Sequence, residues 1–438
     1  MSGTTKPRIV ITGLGVVSPI GCDLDTVWQS LTEGRSGIRP IKSLPMQSLP
    51  FQSGGECVDF TGAIEDYGVL DKQLQRAIKK NSKVMCREIE MGVAAAQKAL
   101  LHSGLPADTR NPDRCGVLFG SDYILTRPEE YADGVENCRD AERSFHVERW
   151  PTDGLPKVNP LWLLKYLPNM PNSHVAIFND LRGPNNAITV REASMNLSVS
   201  EAAAIIERGQ ADAMLVGATG SRIHPLRTAH VTLTERMASE RKEPSEMARP
   251  FDVSRDGMVV GEGAGAIMLE SYEHAMARGA KIWGELVGHG AAMVGPRGDR
   301  DSLRMAVRGA LAGAVQTGRD RLGKSWHVHA HGLSTPEADA SEALGIADVI
   351  GEFGDAVSVT SAKSYFGNLG AGAAAVELIC SLLALQHKSL FPIKNLQTPC
   401  PEATWRTAKA GDNPGSGFAH VSYTLQGQAS CLAVCLES

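Results

Sequence analysis

The amino-acid sequence predicts an α/β fold, because short apolar, β-branched segments alternate with segments of helical periodicity along the chain. A strand is predicted at 8–12, a helix at 83–101 and a second strand at 115–120. The second half repeats the alternation, with a helix at 302–317 before a strand at 326–330. A chain of this length forms two or three domain-sized units or one large unit with two similar halves.

Local sequence justifies the individual elements in order. The first strand, RIVIT, is β-branched, and the first helix ends before Gly104 and Pro106, which are stop signals. Residues 122–160 are charged and irregular, so we expect an excursion from the regular fold there. The other predicted elements are a strand at 187–190, a helix at about 193–208, strands at 212–217 and 357–361, an Ala-rich helix at about 369–387, and strands near 419–425 and 430–436. We place a division near residue 250, which gives the units 1–250 and 251–438.

Composition excludes several classes of function. The chain has 438 residues, with 44 basic and 49 acidic side chains and a net charge of −5. No basic stripe stands out, so we expect no nucleic-acid partner. No run of about 18 apolar residues occurs, and Met1–Arg8 lacks the apolar core of a signal peptide. We therefore expect a cytoplasmic protein without a membrane span.

The cysteines indicate buried, reduced thiols rather than a metal site. They are odd in number and scattered, and no CxxC pair has a partner pair, so we expect neither zinc nor a disulfide framework. The nine cysteines are Cys22, Cys57, Cys86, Cys115, Cys138, Cys380, Cys400, Cys431 and Cys435. A glycine-rich stretch at 256–265 lacks the Lys-Ser/Thr pair of a phosphate-binding loop. No cofactor is expected.

Five blocks, in order along the chain, resemble the β-ketoacyl-acyl-carrier-protein synthases of the elongating type, in the thiolase superfamily. They are RIVITGLGVVSPIG (8–21), LPNMPNSHVAIFNDLRGPNNAIT (167–189), ARPFDVSRDGMVVGEGAGAIMLE (248–270), AHGLSTPEADASEA (330–343) and SAKSYFGNLGAGAAAVE (361–377). The resemblance implies a thiolase-like, five-layered α-β-α-β-α fold with two pseudo-duplicated halves. It also implies a dimer across the first half, formed with the excursion at about 122–170, and makes 256–265 a turn between the halves.

The resembling family carries a cysteine nucleophile at a tight turn before a buried helix, whose N-terminus lowers the pKa of the thiol. Counting forward from Gly183 and backward from the motif at 208–212 places this position on Glu192, without a gap. A carboxylate would form a mixed anhydride, so Glu192 does not replace the thiolate in condensation. Burial would raise its pKa and the helix N-terminus would lower it, and the sequence leaves this balance open. Glu192 either has a chemical role or only fills the former nucleophile pocket.

Three further residues are candidates for contact with substrate. Ser194 is a hydroxyl close to the nucleophile position, and it is itself the nucleophile only if the alignment shifts by two residues. The resemblance places Thr335, in HGLSTP, and Leu425 at the substrate. Leu425 belongs to 423–428, where the family has a Gly-Phe-Gly-Gly turn that supplies an oxyanion amide, so we expect a rebuilt loop.

The other catalytic positions of the family are partly kept. His331 matches its first histidine, Lys363 matches its lysine, and Glu377 stands where that lysine has its ion-pair partner. The remaining matches are Asp339 and Glu342. Asn368 replaces the second histidine, and an amide N–H can also polarise a thioester carbonyl. Each has a structural alternative: His331 as a buried histidine, Lys363 and Glu377 as an ion pair that holds a helix, and Asn368 as a helix cap.

Four functions stay open. The leading hypothesis is a non-condensing synthase homologue that works, like a chain-length factor, as partner subunit of an active ketosynthase in fatty acid or polyketide biosynthesis. The second is an acyl-thioester enzyme, such as a malonyl-thioester decarboxylase, that uses Glu192, His331 and Asn368. The others are a condensing enzyme that uses Ser194 and a structural or ligand-sensing protein. We expect an acyl carrier protein as partner, and a homodimer or a heterodimer with an active ketosynthase.

Overall fold

The computed structural model describes residues 6–44, 49, 51–240, 243–295 and 300–437; Met1–Thr5, part of the segment expected to lack a signal peptide, lie outside the described residues. The strands are β1 Ile9–Val17, β2 Ile38–Pro40, β3 Ser53–Gly55, β4 Cys115–Gly120, β5 Asn185–Ile188, β6 Ala213–Ser221, β7 Glu262–Ser271, β8 Gly284–Met293, β9 Trp326–His329, β10 Val357–Thr360, β11 Arg406–Thr407, β12 Gly417–Tyr423 and β13 Gln428–Cys435. The helices are α1 Leu24–Glu33, α2 Lys72–Asn81, α3 Arg87–His102, α4 Ala132–Asn137, α5 Met170–Asn179, α6 Ser194–Glu207, α7 Pro225–Thr234, α8 Pro244–Met247, α9 Tyr272–Ala277, α10 Arg300–Leu322, α11 Pro336–Ile350, α12 Lys363–Phe366 and α13 Gly372–His387.

A mixed sheet of eleven strands runs through the described residues, in the order β11-β10-β9-β12-β13-β8-β1-β7-β6-β4-β5. In the first half, β4 runs parallel to β5 and β6, and β7 runs antiparallel to β6 and β1. The second half repeats the pattern, since β9 is parallel to β10 and β12, and β13 is antiparallel to β12 and β8. Antiparallel pairing of β1 with β8 joins the halves. The predicted α/β fold with two pseudo-duplicated halves is confirmed.

Helices on both faces of each half-sheet produce five layers. The outer helices α3 and α5 cover the first half, and Val117 and Phe119 of β4 point toward them. The outer helices α10 and α11 cover the second half. The helices α6 and α13 lie between the halves. Leu118, which alternates with Val117 and Phe119 on β4, points toward them, and so does Leu432 of β13. The five-layered α-β-α-β-α arrangement is therefore confirmed, and it buries α6 and α13 at its centre.

The glycine-rich stretch differs from the expected turn between the halves. From Glu262 onward it is the strand β7, which lies between β1 and β6, so the prediction of a turn is wrong over that part. A Cβ on Gly265 would lie 2.9 Å from the Cβ of Ala375, so glycine lets α13 cross the strand closely. β7 follows residue 250 yet pairs with first-half strands, and the division near residue 250 stays a prediction.

Other predicted elements are found with shifted ends. The strand predicted at 187–190 ends at Ile188, because Val190 leaves the extended region with φ −128° and ψ 40°. The helix predicted at 302–317 extends over 300–322. The excursion predicted at 122–160 is irregular, since short turns and the short α4 fill it.

Unpaired cysteines are also confirmed. All nine lie in the described residues, all are free, and seven of them are buried. Within the described ranges, no helix has both the length and the apolar character to cross a membrane.

Candidate active site

Glu192 lies in a single 3-10 turn, Arg191–Ala193, immediately before α6. Arg191 has φ 49°, a left-handed conformation that non-glycine residues rarely adopt. The turn contacts α13, β12 and β13, and the Ser422 hydroxyl donates to the Glu192 carbonyl at 2.8 Å. Glu192 is 4% exposed. The residue at the predicted nucleophile position therefore sits in a strained, buried turn at the start of the central helix layer.

The Glu192 carboxylate is held in hydrogen bonds. Its Oε1 accepts from Nη2 of Arg222 and, at 3.1 Å, from Nδ2 of Asn368. Burial raises the pKa of Glu192, but the charges of Arg222 and Arg191 outweigh burial, and the pKa falls to about 2. The carboxylate is therefore ionised at neutral pH, which makes it a weak base and a weak nucleophile.

Arg222 is a residue of the candidate site that the sequence did not reveal. It directly follows β6, is 1% exposed, and donates through Nη1 to Glu235 at 2.9 Å. Burial lowers the pKa of Arg222, but Glu192 and Glu235 outweigh this and hold it above its usual value. The available signal is an arginine at the end of an apolar strand, and nothing in the chain indicates that it meets a glutamate thirty residues earlier.

His331, Lys363 and Glu377 form one buried cluster. Lys363 Nζ is ion-paired with Glu377 and donates to His331 Nδ1 at 2.9 Å. Burial and the charge of Lys363 hold the pKa of His331 well below its usual range, so the ring is neutral. An ammonium group only donates, so Nδ1 accepts and the ring proton sits on Nε2. That Nε2 is buried without a partner among the described residues, and it is an available N–H donor.

Two acidic residues of α11 shape the loop that carries His331. Glu342 accepts from the backbone N–H groups of His331 at 2.6 Å and Gly332 at 2.8 Å. Asp339 accepts from Ser334 N at 3.1 Å. Burial raises the pKa of Glu342 to about 8 and that of Asp339 to about 6. These residues orient the backbone on either side of the histidine.

Asn368 links Glu192 to the turn before α13. Besides Glu192, its Nδ2 contacts Met258 Sδ at 3.1 Å, and its Oδ1 accepts from Gly370 N at 3.0 Å. The residue at the start of α13 is Ala371, with no side-chain cap. The alternative that Asn368 caps the helix is therefore wrong, because its side chain bonds the N–H of Gly370, which precedes α13, and Asn368 lies in the cluster instead.

Thr335 and Leu425 line one cavity of about 640 Å³. Leu425 belongs to the tight hairpin that joins β12 and β13, in which Thr424 N donates to Gln428 O at 2.8 Å. Gly427 turns this hairpin with φ 91°. Tyr423, the last residue of β12, is buried, and its ring centroid lies 4.4 Å from that of His331. The rebuilt loop is thus a closed hairpin that forms part of the cavity wall.

Ser194 is apart from this cluster. Its hydroxyl accepts from Val190 N at 2.8 Å and donates to Ser121 O at 3.1 Å. Both bonds hold backbone atoms, and neither involves a basic side chain that would activate the hydroxyl. The geometry gives Ser194 a role in holding the turn before α6, and its predicted contact with substrate stays a prediction.

Two family models cover most of the chain. The N-terminal domain of β-ketoacyl synthase matches residues 6–275, and the C-terminal domain of β-ketoacyl synthase matches residues 280–397. The chain belongs to the β-ketoacyl synthase family. Its relatives include 3-oxoacyl-(acyl-carrier-protein) synthase 2 of Vibrio harveyi, 34% identical over 401 residues and 90% of both chains. The mitochondrial 3-oxoacyl-(acyl-carrier-protein) synthase of Arabidopsis thaliana is 33% identical over 90% of this chain and 85% of its own.

Solved structures agree with the β-ketoacyl synthase fold. A type II polyketide ketosynthase in complex with its acyl-carrier protein has TM-score 0.83 at 22% identity, over 99% of this chain and 100% of that one. The ishigamide ketosynthase/chain length factor has TM-score 0.81 at 23% identity, with the same coverage. At this identity the likeness establishes the fold alone.

In this β-ketoacyl synthase family member, the residues of the predicted site are connected in the structure. The structure brings five predicted residues together through hydrogen bonds and through Ser422, which contacts His331 Nδ1 at 3.3 Å. They are Glu192, His331, Lys363, Asn368 and Glu377. His420, which the sequence did not suggest, contacts Glu377 at 3.2 Å. No cluster of possible metal ligands was found among the described residues.

Proposed function

We propose that this chain is a β-ketoacyl synthase homologue that does not condense and serves as a chain-length-factor-like partner subunit of an active ketosynthase. The observation that carries the proposal is the ionised Glu192, paired with Arg222 at the predicted nucleophile position. Condensation needs a nucleophile that holds an acyl group as a thioester, and a paired carboxylate of pKa about 2 does not supply one. Fatty acid or polyketide biosynthesis is the expected setting.

The surface of the first half supports association with a partner. β5 is the edge strand of the sheet, and Asn185 and Asn186 on it are exposed. An open strand edge offers unpaired backbone groups to a second chain. The excursion adds exposed apolar side chains, which are Phe145, Val147, Leu155, Leu161 and Leu163. Exposed apolar groups in one segment favour a protein interface.

The cavity beside Thr335 and Leu425 supports an acyl-thioester ligand on an acyl carrier protein. Its volume of about 640 Å³ suits a slender thioester arm. The buried Nε2–H of His331, four residues before Thr335, is a donor that is free among the described residues and that a thioester carbonyl would accept from. A partner subunit that retains these features can bind a carrier-protein thioester without forming an acyl-enzyme.

Co-expression with candidate cysteine-bearing ketosynthases tests the proposal. We expect a stable heterodimer by size-exclusion chromatography, condensation by the pair, and no condensation by this chain alone. A matched variant, Ala187→Pro in the edge strand, removes a backbone donor that faces away from β4 and should weaken the heterodimer. A homodimer that binds none of these ketosynthases, or condensation by this chain alone, contradicts the proposal.

A malonyl-thioester decarboxylase is the second candidate, and the unpaired N–H of His331 favours it. This donor and the Asn368 amide would stabilise the enolate that forms as carbon dioxide leaves. Malonyl-carrier protein should then yield acetyl-carrier protein, and His331→Ala should slow this by about 100-fold. Absence of acetyl product rules the activity out, and an unchanged rate in that variant rules out the role of His331.

A further inference from the structure

A network of buried ions lies behind the nucleophile position. We call it the buried ion network; its members are Asp122, Arg191, Glu192, Arg222, Arg227 and Glu235. Glu192 pairs with Arg222, which also bonds Glu235 at 2.9 Å. Arg227 pairs with Asp122, which Arg191 approaches at 3.6 Å. Three arginines and three carboxylates thus pair with one another, and five of these six side chains are at most 5% exposed while that of Arg191 is 19% exposed.

The network is enclosed on its outer side by an aromatic ring. Tyr123 lies under two of the guanidinium groups, with its centroid 4.4 Å from Arg227 Cζ and 5.9 Å from Arg191 Cζ. Its backbone carbonyl accepts from Arg227 Nη1 at 2.6 Å. These contacts fix the arginines in place, so the network is an ordered part of the interior.

Two cavities lie on opposite ends of this network. The first is the cavity of about 640 Å³ beside Thr335, and Glu235 is in its wall. The second, of about 660 Å³, has Arg227 and Glu88 in its wall, and these two side chains approach to 3.6 Å. Neither wall includes Glu192. A chain extending from the first cavity past Glu192 toward the second would have to pass between the ions.

An alkyl chain cannot do this without a large loss. It forms no hydrogen bonds, so any ion pair that it separates leaves a carboxylate and a guanidinium unpaired away from water. Breaking a buried pair by withdrawing one partner is strongly unfavourable for the same reason. Small polar acyl groups that stop at His331 avoid this loss.

We propose that the buried ion network closes the site to alkyl chains, so that the cavity beside Thr335 accepts thioesters of short, polar acyl groups, and that Arg222 sets this limit. The inference rests on the proposed function only in taking the ligand to be an acyl thioester. It concerns substrate class, and it holds whether the chain acts as a partner subunit or as a decarboxylase.

Calorimetric titration with acetyl-, hexanoyl- and decanoyl-pantetheine amides tests the inference on the full chain. An apolar tunnel would raise affinity about fourfold for each methylene that it buries. We expect the native protein to bind the acetyl analogue, and to bind the decanoyl analogue at least about tenfold more weakly because its chain would have to separate buried ion pairs. Glu192→Ala/Arg222→Ala should bind the decanoyl analogue at least about tenfold more tightly than the acetyl analogue.

Two further variants keep the test decisive. If the double-alanine variant does not fold, Glu192→Ala/Arg222→Leu retains an apolar side chain in the same space and should show the same order of affinities. Arg319→Ala/Glu352→Ala removes an ion pair whose side chains are 60% and 55% exposed, and its profile should match the native one.

Three results would overturn the inference. They are a native Kd for the decanoyl analogue that is lower than, or within about twofold of, the Kd for the acetyl analogue, an unchanged profile in folded variants that lack the Glu192–Arg222 pair, and no binding of any analogue. Heterodimer formation and condensation assays test the proposed function separately, so the inference and the proposed function can each fail while the other holds.

Discussion

Arg222 reaches from the end of β6 to Glu192 at the start of α6, and the two side chains form an ion pair that is 1% and 5% exposed. The pair decides the balance that the sequence leaves open, because two arginine charges outweigh burial and lower the pKa of Glu192. It also connects the predicted nucleophile position to Glu235 and so to the cavity.

Removing Arg222 alone should destabilise the protein. Arg222→Ala leaves Glu192 buried without its main partner, and we expect a loss of about 3–5 kcal/mol in the free energy of unfolding. Arg319→Ala, from an exposed pair, should cost less than about 1 kcal/mol. Urea denaturation measures both. Equal losses of unfolding free energy in the two variants would show that the buried ion pair stabilises the protein no more than the exposed one.

Restoring a cysteine should not by itself restore a condensing enzyme. In Glu192→Cys the thiolate would stay paired with Arg222 and closed off from long acyl groups. We expect mass spectrometry to find acylation by decanoyl thioesters only when Arg222→Ala is added. Efficient acylation of the single variant would mean that Arg222 does not limit access.

Stability should depend on pH through Glu342. Its pKa is raised from 4.5 to about 8, so the folded state retains a proton that the unfolded state loses. The stability that this proton contributes is full below pH 4.5 and disappears as pH rises to about 8. Glu342→Gln lacks this term, so its unfolding free energy relative to the native protein should rise from pH 5 to about 8. Urea denaturation across this range measures the difference in unfolding free energy between the variant and the native protein. A difference that does not change with pH would refute the raised pKa of Glu342.

Lys363 should control the protonation of His331. Burial and the Lys363 charge both lower the pKa of His331, so Lys363→Met should raise that pKa. Nitrogen NMR of histidine-labelled protein should place the neutral proton on Nε2 in the native chain and find a mixture of tautomers in the variant. Lys388→Met, at the end of α13, is the control and should change neither.

The cavity wall should control ligand entry. Leu425, 39% exposed, lines the cavity, and Leu425→Trp should fill part of it and weaken acetyl-pantetheine binding by about tenfold. Leu101→Trp alters a leucine that is 48% exposed and does not line this cavity, so its Kd should be unchanged. Equal changes in Kd for the two variants would show that acetyl-pantetheine does not bind in this cavity.

The fold was largely predictable because strand and helix periodicities are local signals. The alternation and the five family-like blocks predicted the layered halves, and the ends of elements shifted where one residue left its regular conformation, as at Val190. The glycine-rich stretch was misjudged from Glu262 onward because glycines also occur where α13 crosses a central strand closely.

The sequence alone predicted that Glu192 stands at the nucleophile position, and that His331, Lys363 and Glu377 match site residues of the family. Those conclusions depend on residue types and spacing, which are written along the chain. Only the tertiary structure decided the charge state of Glu192, because that state depends on Arg222, which is thirty residues away and follows another element. The sheet brings these two together, and electrostatic interactions in a buried site depend on that distance rather than on sequence order.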